Sequence, residues 1–294
     1  MAAEKSVEPL LNIKARIAKL DRLPAMPAMA LQVIQLSSDP EASISDLVKI
    51  VEMDPSLAAQ IMRYASSPFF SYRGKVDSVQ TAVSRVLGFS MVMNLALGVT
   101  TARPFKLPKN VPLNMNAFWK HAVFSAALTQ SLSGELPDEI RPPAGLAYLA
   151  GLLHNFGHML VGHLFRNEFL ILNKFIVAEP ETDLVEIEKR IFGYEHGQIG
   201  AWLMDVWKLP EELIVATREH NNLEYQGEHA VYAQLVALSD RLLKEYNIGD
   251  AANSSIPQSL LQSLEIGDYQ ARMVVNRVME GGDGLDIMAR QLAS

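Results

Sequence analysis

His121, His154, Asn155, His196, His220 and Asp240 are polar residues set into stretches that are otherwise apolar. Neutral imidazoles and a carboxylate are ligand types that first-row divalent metals accept. They fall on five predicted helices, 20 to 41 residues apart, and a helical bundle can turn such positions toward one cavity. Spacing alone does not separate a metal site from a hydrogen-bonded polar set enclosed in a core, because buried imidazoles need partners in either case.

The densest stretch is 144–165, AGLAYLAGLLHNFGHMLVGHLF, which lacks Lys, Arg, Asp and Glu yet holds three histidines and an asparagine. Burying those groups among Leu, Ala and Phe is costly unless each is paired. His154 and His158 stand four residues apart, as zinc-binding histidines on a helix do, but HNFGH has no glutamate after its first histidine to act as general base. His163 lies outside the constellation and reads as a satisfied or surface histidine, while His229 sits in a polar loop. Glu195 is expected to be a carboxylate favoured at a helix start. The chain has no phosphate-cradling glycine loop, no G-x-S-x-G elbow and no cysteine nucleophile.

The elements that must position these residues are helical. Sustained period-two alternation is absent, so the expected fold is all-α. An amphipathic helix is expected over 7–22, with Leu10, Ile13, Ile17 and Leu20 on one face. Pro24 and Pro27 precede another over 28–37. Ser43 or Ser45 can cap the next, and Asp54-Pro55 is an N-cap followed by a first-turn proline. The loop 67–77 carries Phe69, Phe70 and Tyr72, expected to be exposed and suited to a protein contact or to plugging a gap between subdomains. Ser78 is expected to cap one long helix running to about 99, and 102–114 reads as a linker. Helices are then expected from Met115, over 144–165 as one piece, after Asp183 to Gly193, from Glu195, from Pro210 to His220, and over 230–246. Residues 165–183 read as a mobile polar segment, and the tail from Glu280 as peripheral.

With 294 residues, 49% hydrophobic and 20% charged, the chain can bury a real core. Its net charge of −7 gives no basic footprint for nucleic acid or for anionic lipid. A helix-turn-helix layout at 43–66 sets Lys49 and Arg63 against Glu41, Asp46, Glu52 and Asp54 in residues 41–66, a balance that would repel phosphates. Zero cysteines exclude disulfides and fit a reducing cytoplasm. The N-terminus shows no secretory signal. The apolar stretches 86–102 and 144–165 are expected as buried core helices, since a span over the second would hold His154, Asn155 and His158 near mid-bilayer.

Seven segments, in order, resemble one family: LPAMPAMALQVIQL, DPSLAAQIMRYASSPFF, SVQTAVSRVLGF, FWKHAVFSA, LAGLLHNFGHML, YEHGQIGAWLMDVWKLP and ALSDRL. They resemble the HD superfamily of metal-dependent phosphohydrolases. More closely they resemble HDOD, the HD-related output domain of bacterial signalling proteins, over roughly residues 20–245. The resemblance implies an N-terminal helical subdomain (1–110), an HD-like helical bundle (111–250) and a short helical tail (251–294). It matches His121 to the first histidine ligand, His154 to the histidine of the His-Asp pair, His196 and His220 to later histidines, and Asp240 to the closing aspartate. His158 stands where related enzymes often have lysine, and His158 and Asp240 would be the catalytic candidates.

Asn155 stands where those enzymes have the aspartate that bridges two metal ions. A bridging carboxylate sets a negative charge between cations ~3.5–4 Å apart. A neutral amide cannot hold that pair. The expectation is therefore a regulatory protein acting in trans on a signalling protein or small ligand, with a degenerate centre holding at most one divalent metal (Fe, Mn or Ni). The alternative is a single-metal phosphohydrolase acting on a nucleotide or cyclic dinucleotide.

Overall fold

The computed structural model describes residues 24–293 except 38, 40, 68, 69, 71 and 252. The helix expected over 7–22 and the residue Phe69 lie outside the described residues. All regular structure among the described residues is helical. The first five helices are α1 (Ala28–Ser37), α2 (Ile44–Glu52), α3 (Pro55–Ala65), α4 (Val79–Leu87) and α5 (Phe89–Ala102). Next come α6 (Met115–Ser133), α7 (Ala144–Leu153), α8 (Phe156–Leu164), α9 (Arg166–Ala178) and α10 (Leu184–Phe192). The chain continues through α11 (His196–Val206), α12 (Glu211–Glu219) and α13 (Ala230–Lys244). It ends with α14 (Gln258–Ser263), α15 (Asp268–Glu280) and α16 (Gly282–Ala293).

Local chemistry sets many of these boundaries. Ser43 and Asp46 form a reciprocal capping box at the start of α2. Asp54 accepts hydrogen bonds from Ser56 N at 2.9 Å and Leu57 N at 3.0 Å, with Pro55 in the first turn of α3. Arg103 pairs with the same Asp54 and so ties the start of α3 to the end of α5.

Four expectations need correction. The helix expected over 79–99 is two helices bent by 120°, because Gly88 adopts φ +81, a left-handed value that interrupts the hydrogen-bond ladder. The stretch 144–165 is likewise two helices, and His154 and Asn155 occupy the break. Residues 166–178, expected to be mobile, form α9, with Phe169 and Leu172 buried. The last helix is not peripheral: Leu285, Met288 and Ala289 are buried, and α16 packs on α6 and α3.

The core is continuous from α1 to α16. Tyr64 of α3 lies 5.8 Å, ring to ring, from Tyr148 of α7, and half-buried Phe70 meets Tyr64 edge-on at 4.8 Å. The Tyr64–Tyr148 pair joins the N-terminal helices to the bundle, and Phe70 backs Tyr64. Phe105 of the linker packs on Phe156 and Trp207, and Trp207 Nε1 donates to the Pro24 carbonyl at 2.8 Å. Among the described residues no single helix is long and apolar enough to cross a membrane. The bent pair α4 and α5 reaches that composition only when joined.

The break at 154–155 rests on close backbone approach. A Cβ on Gly157 would lie 1.9 Å from the carbonyl oxygen of His196, so α8 and the start of α11 touch without an intervening side chain. The obstacle is backbone and cannot rotate away. Gly157→Ala is expected to destabilise the protein by about 3 kcal/mol, the upper end of overpacking costs. Gly267 has open space around it, and Gly267→Ala should stay within about 0.5 kcal/mol. Urea midpoints at unchanged m-value would check both; equal stability of the two variants would contradict the packing argument.

Candidate metal centre

The site is built by six helices, the α7–α8 break and one strap. His121 comes from the middle of α6, His154 and Asn155 from the α7–α8 break, His158 from α8, His196 from the first turn of α11, His220 from the end of α12 and Asp240 from α13. All are buried. The fold brings together every residue expected from the sequence. It also adds two, Glu188 of α10 and Asp250 of the strap 245–251 that follows α13.

The cluster divides in two. In one half, Glu188 is the hub. Its Oε1 lies 2.7 Å from His158 Nε2, and its Oε2 accepts from His196 Nδ1 at 2.7 Å and from the His196 amide at 2.9 Å. His196 Nε2 is 3.1 Å from His220 Nε2, and His220 Nδ1 donates to the Thr217 carbonyl at 2.8 Å. With its proton spent on that carbonyl, His220 Nε2 is an acceptor. His196 therefore carries protons on both nitrogens. Burial opposes that charge, but Glu188 outweighs it and raises the His196 pKa to about 9. Glu188 is held well below the usual carboxylate range, since His196 and His158 outweigh the cost of its burial. Burial and neighbouring His154 and His196 push His220 down to about 3. This half is satisfied by hydrogen bonds.

The other half is not. His154 Nδ1 donates to the Gly151 carbonyl at 2.7 Å, which leaves Nε2 unprotonated. That Nε2 is buried without a hydrogen-bond partner and lies 3.6 Å from Asp240 Oδ1. A lone pair aimed at a carboxylate across that gap is what a bound cation would resolve. Burial lowers the His154 pKa to about 4, so a proton does not fill the role at neutral pH. His121 Nε2 lies 3.0 Å from the same Asp240 oxygen. One ligand atom each of His121, His154, Asp240 and Asp250 lies within 4.8 Å of the others, so these four fit a single divalent ion. His158, His196 and Asp250 meet the same distance, but Glu188 already engages both of those histidines.

Asn155 turns its amide nitrogen toward the other site residues, and its Oδ1 is buried without a hydrogen-bond partner. Its Nδ2 donates to Asp250 Oδ2 at 2.9 Å and faces His121 Nδ1 at 3.0 Å, an orientation set by the two acceptors. Burial opposes ionisation of Asp240 and Asp250, yet the surrounding histidines hold both below the usual range. Against its own burial, Asp250 and Asp240 in turn raise the pKa of His121.

Two cavities meet at Asp250. One, of about 580 Å³, reaches Asn155, His158, Phe118, Lys120 and Lys244. The other, of about 400 Å³, reaches His196, Asp240 and Arg218.

Of the two residues missed by sequence reasoning, Glu188 carried a signal: it sits four residues after Leu184 and four before Phe192, on the apolar face of α10. Asp250 carried none, because it follows a helix end in a loop without period. His163 is exposed and meets Phe105 edge-on, and Glu195 caps α11 with Gln198, as expected.

Glu188→Gln is expected to cost about 3–5 kcal/mol at pH 7, the range for breaking a buried pair. The sign follows from linkage. The raised pKa of His196 gives stability that is full below its ordinary 6.5 and lost as pH rises through about 9. The depressed pKa of Glu188 gives stability present above its ordinary 4.5 and lost as pH falls further. Wild type and variant should therefore converge in chemical denaturation at about pH 10; a gap that widens there would refute the assignment.

A family profile, HDOD domain, matches residues 23–223. In sequence, the chain is 25% identical over 261 residues to an uncharacterized protein of Treponema pallidum (strain Nichols), covering 88% of this chain and 49% of that protein. It therefore spans about half the length of the curated relative it matches. Among solved structures it is similar to a protein named for signal transduction from Marinobacter aquaeolei VT8, with 36% identity and a TM-score of 0.82. That match covers 96% of this chain and 62% of the other, so here too the relative is longer. An HDOD domain protein of unknown function from Geobacter sulfurreducens shares the fold, with 21% identity, a TM-score of 0.75 and coverage of 95% and 96%. The helical architecture and the family match over most of its length agree, and the chain belongs to the HDOD domain family.

Proposed function

We propose that this HDOD protein is a signal-transduction module that works by binding a protein partner or a small ligand, and that its His-Asp centre does not perform two-metal hydrolysis. The observation that carries this reading is the Asn155 amide, whose nitrogen points at His121 Nδ1 and Asp250 where a bridging anion would be needed. An N–H donor repels a cation. The residues His121, His154, Asp240 and Asp250 fit one divalent ion of the kind that accepts imidazole and carboxylate together. When bound, such an ion would supply charge neutralisation for the two carboxylates.

A small-ligand role is supported by the cavity of about 580 Å³ beside Asn155 and His158, within the usual size of ligand pockets. Leu107 and Phe118 give it apolar wall, and its charged lining sets Lys120 and Lys244 against Glu179, Glu181, Asp183 and Asp250. The ligand set for one ion also favours a second reading, a single-metal phosphohydrolase on a nucleotide or cyclic dinucleotide.

Metal analysis and a phosphodiesterase assay decide between them. Purified protein incubated with Mn²⁺ or Fe²⁺ is expected to hold at most one equivalent and to hydrolyse no nucleotide or cyclic dinucleotide above the metal blank. Two equivalents with turnover would sink the binding reading. Asn155→Asp places a third carboxylate beside Asp250 and Asp240, and like charges in a buried cluster repel. The variant is expected to melt several degrees lower in chelator than wild type, and added Mn²⁺ should restore it. A melting temperature insensitive to Mn²⁺ would show that position 155 does not face the ion.

A further inference from the structure

We propose that Asp250 is the fourth protein ligand of a single divalent transition-metal ion held with His121, His154 and Asp240, and that loading this ion fixes the strap that carries Asp250. The inference rests on the reading of the chain as a binding regulator and deepens it. Asp240 and Asp250 are the two carboxylates of the set, and its His154 Nε2 is a buried atom that lacks a partner, as is Oδ1 of the neighbouring Asn155. The negative charge missing at Asn155 is thus supplied from a different element. Asn155 then has a definite role: its Nδ2 donates to Asp250 Oδ2 at 2.9 Å and holds that carboxylate toward the histidines, where an aspartate at 155 would repel it.

The strap is shaped to reach this position. Its turn is made by Asn247 at φ 56 and Gly249 at φ +93, with Ile248 buried between them. A Cβ on Gly249 would lie 2.6 Å from His121 Nε2, so the strap backbone rests directly on a ligand histidine.

The same strap is tied to the C-terminal helices. Glu245 takes Arg272 of α15 with both carboxylate oxygens at 2.7 Å, and Tyr246 donates to Asn276 of the same helix. Helix α15 packs on α6, which carries His121. Ordering of Asp250 by an ion therefore acts on an element joined to α15. The strap also separates the two cavities, since Asp250 and Ala251 line both.

The test uses the full chain stripped of metal and titrated with Ni²⁺ by calorimetry, with hydrogen exchange measured in parallel. Wild type is expected to bind one equivalent, and Asp250→Asn to bind at least about tenfold more weakly, because losing a direct ligand should cost no less than losing an outer-shell partner. Ni²⁺ should slow amide exchange over 245–251 and in α15 of wild type and leave both unchanged in Asp250→Asn. If Asp250→Asn does not fold, Gly249→Ala reads the same quantity, since the added Cβ displaces the strap from His121 and should weaken Ni²⁺ equally. Undiminished affinity in the variants, no effect on strap exchange, or no Ni²⁺ bound by wild type would each overturn the proposal. Those outcomes leave the binding reading standing. Phosphodiester hydrolysis by the loaded wild type would defeat that reading instead, whatever the variants bind.

Discussion

Asp240 and Asp250 converge on a buried cluster of histidines, and two carboxylates so placed hold their charges only with positive charge among them. The rest of the site answers that demand. His121 stands close to both carboxylates and is drawn toward protonation. His154 brings an unprotonated nitrogen to the same place because its other nitrogen is committed to the Gly151 carbonyl. Asn155 contributes a neutral donor that orients Asp250 without adding to the negative charge. On the far side, Glu188 is matched by protonated His196, which keeps the second half of the cluster internally balanced.

The backbone that makes this possible depends on close contacts between helices. The α7–α8 break sets His154 and Asn155 at adjacent positions facing the cluster. It survives because Gly157 lets α8 lie against the His196 carbonyl. The same contact brings His196 and His158 within ring-stacking range, 4.1 Å between centroids. Positioning of the chemistry and packing of the core are therefore one problem. A side chain at Gly157 would disturb both, since the obstacle it meets is the backbone of a site residue.

The HDOD domain match ends at residue 223, whereas Asp240, the strap and the C-terminal helices lie beyond it. The candidate centre thus reaches past the profile match, while the similar solved structures cover 96% and 95% of the chain. Helix α16 returns to pack on α6 and α3, so the C-terminal segment reaches back to the N-terminal helices through the element that bears His121. A binding event at the centre and a change in the C-terminal segment have a physical route to one another through these packed helices.

Local pattern and residue type were enough to read the all-α class, the capping of α2 and α3, and the histidines and aspartate that gather at the centre. Glu188 was within reach of the same reasoning, as a carboxylate on an apolar helix face. The breaks at Gly88 and at His154–Asn155 were not, since an apolar run has the same composition whether it stays straight or bends. The membership of Asp250 emerges only from the folded chain. Its place depends on a left-handed turn after α13 and on backbone resting against His121, a contact between residues far apart in the sequence. Packing determines which loop falls over the histidines, and with it which carboxylate supplies the charge that Asn155 lacks.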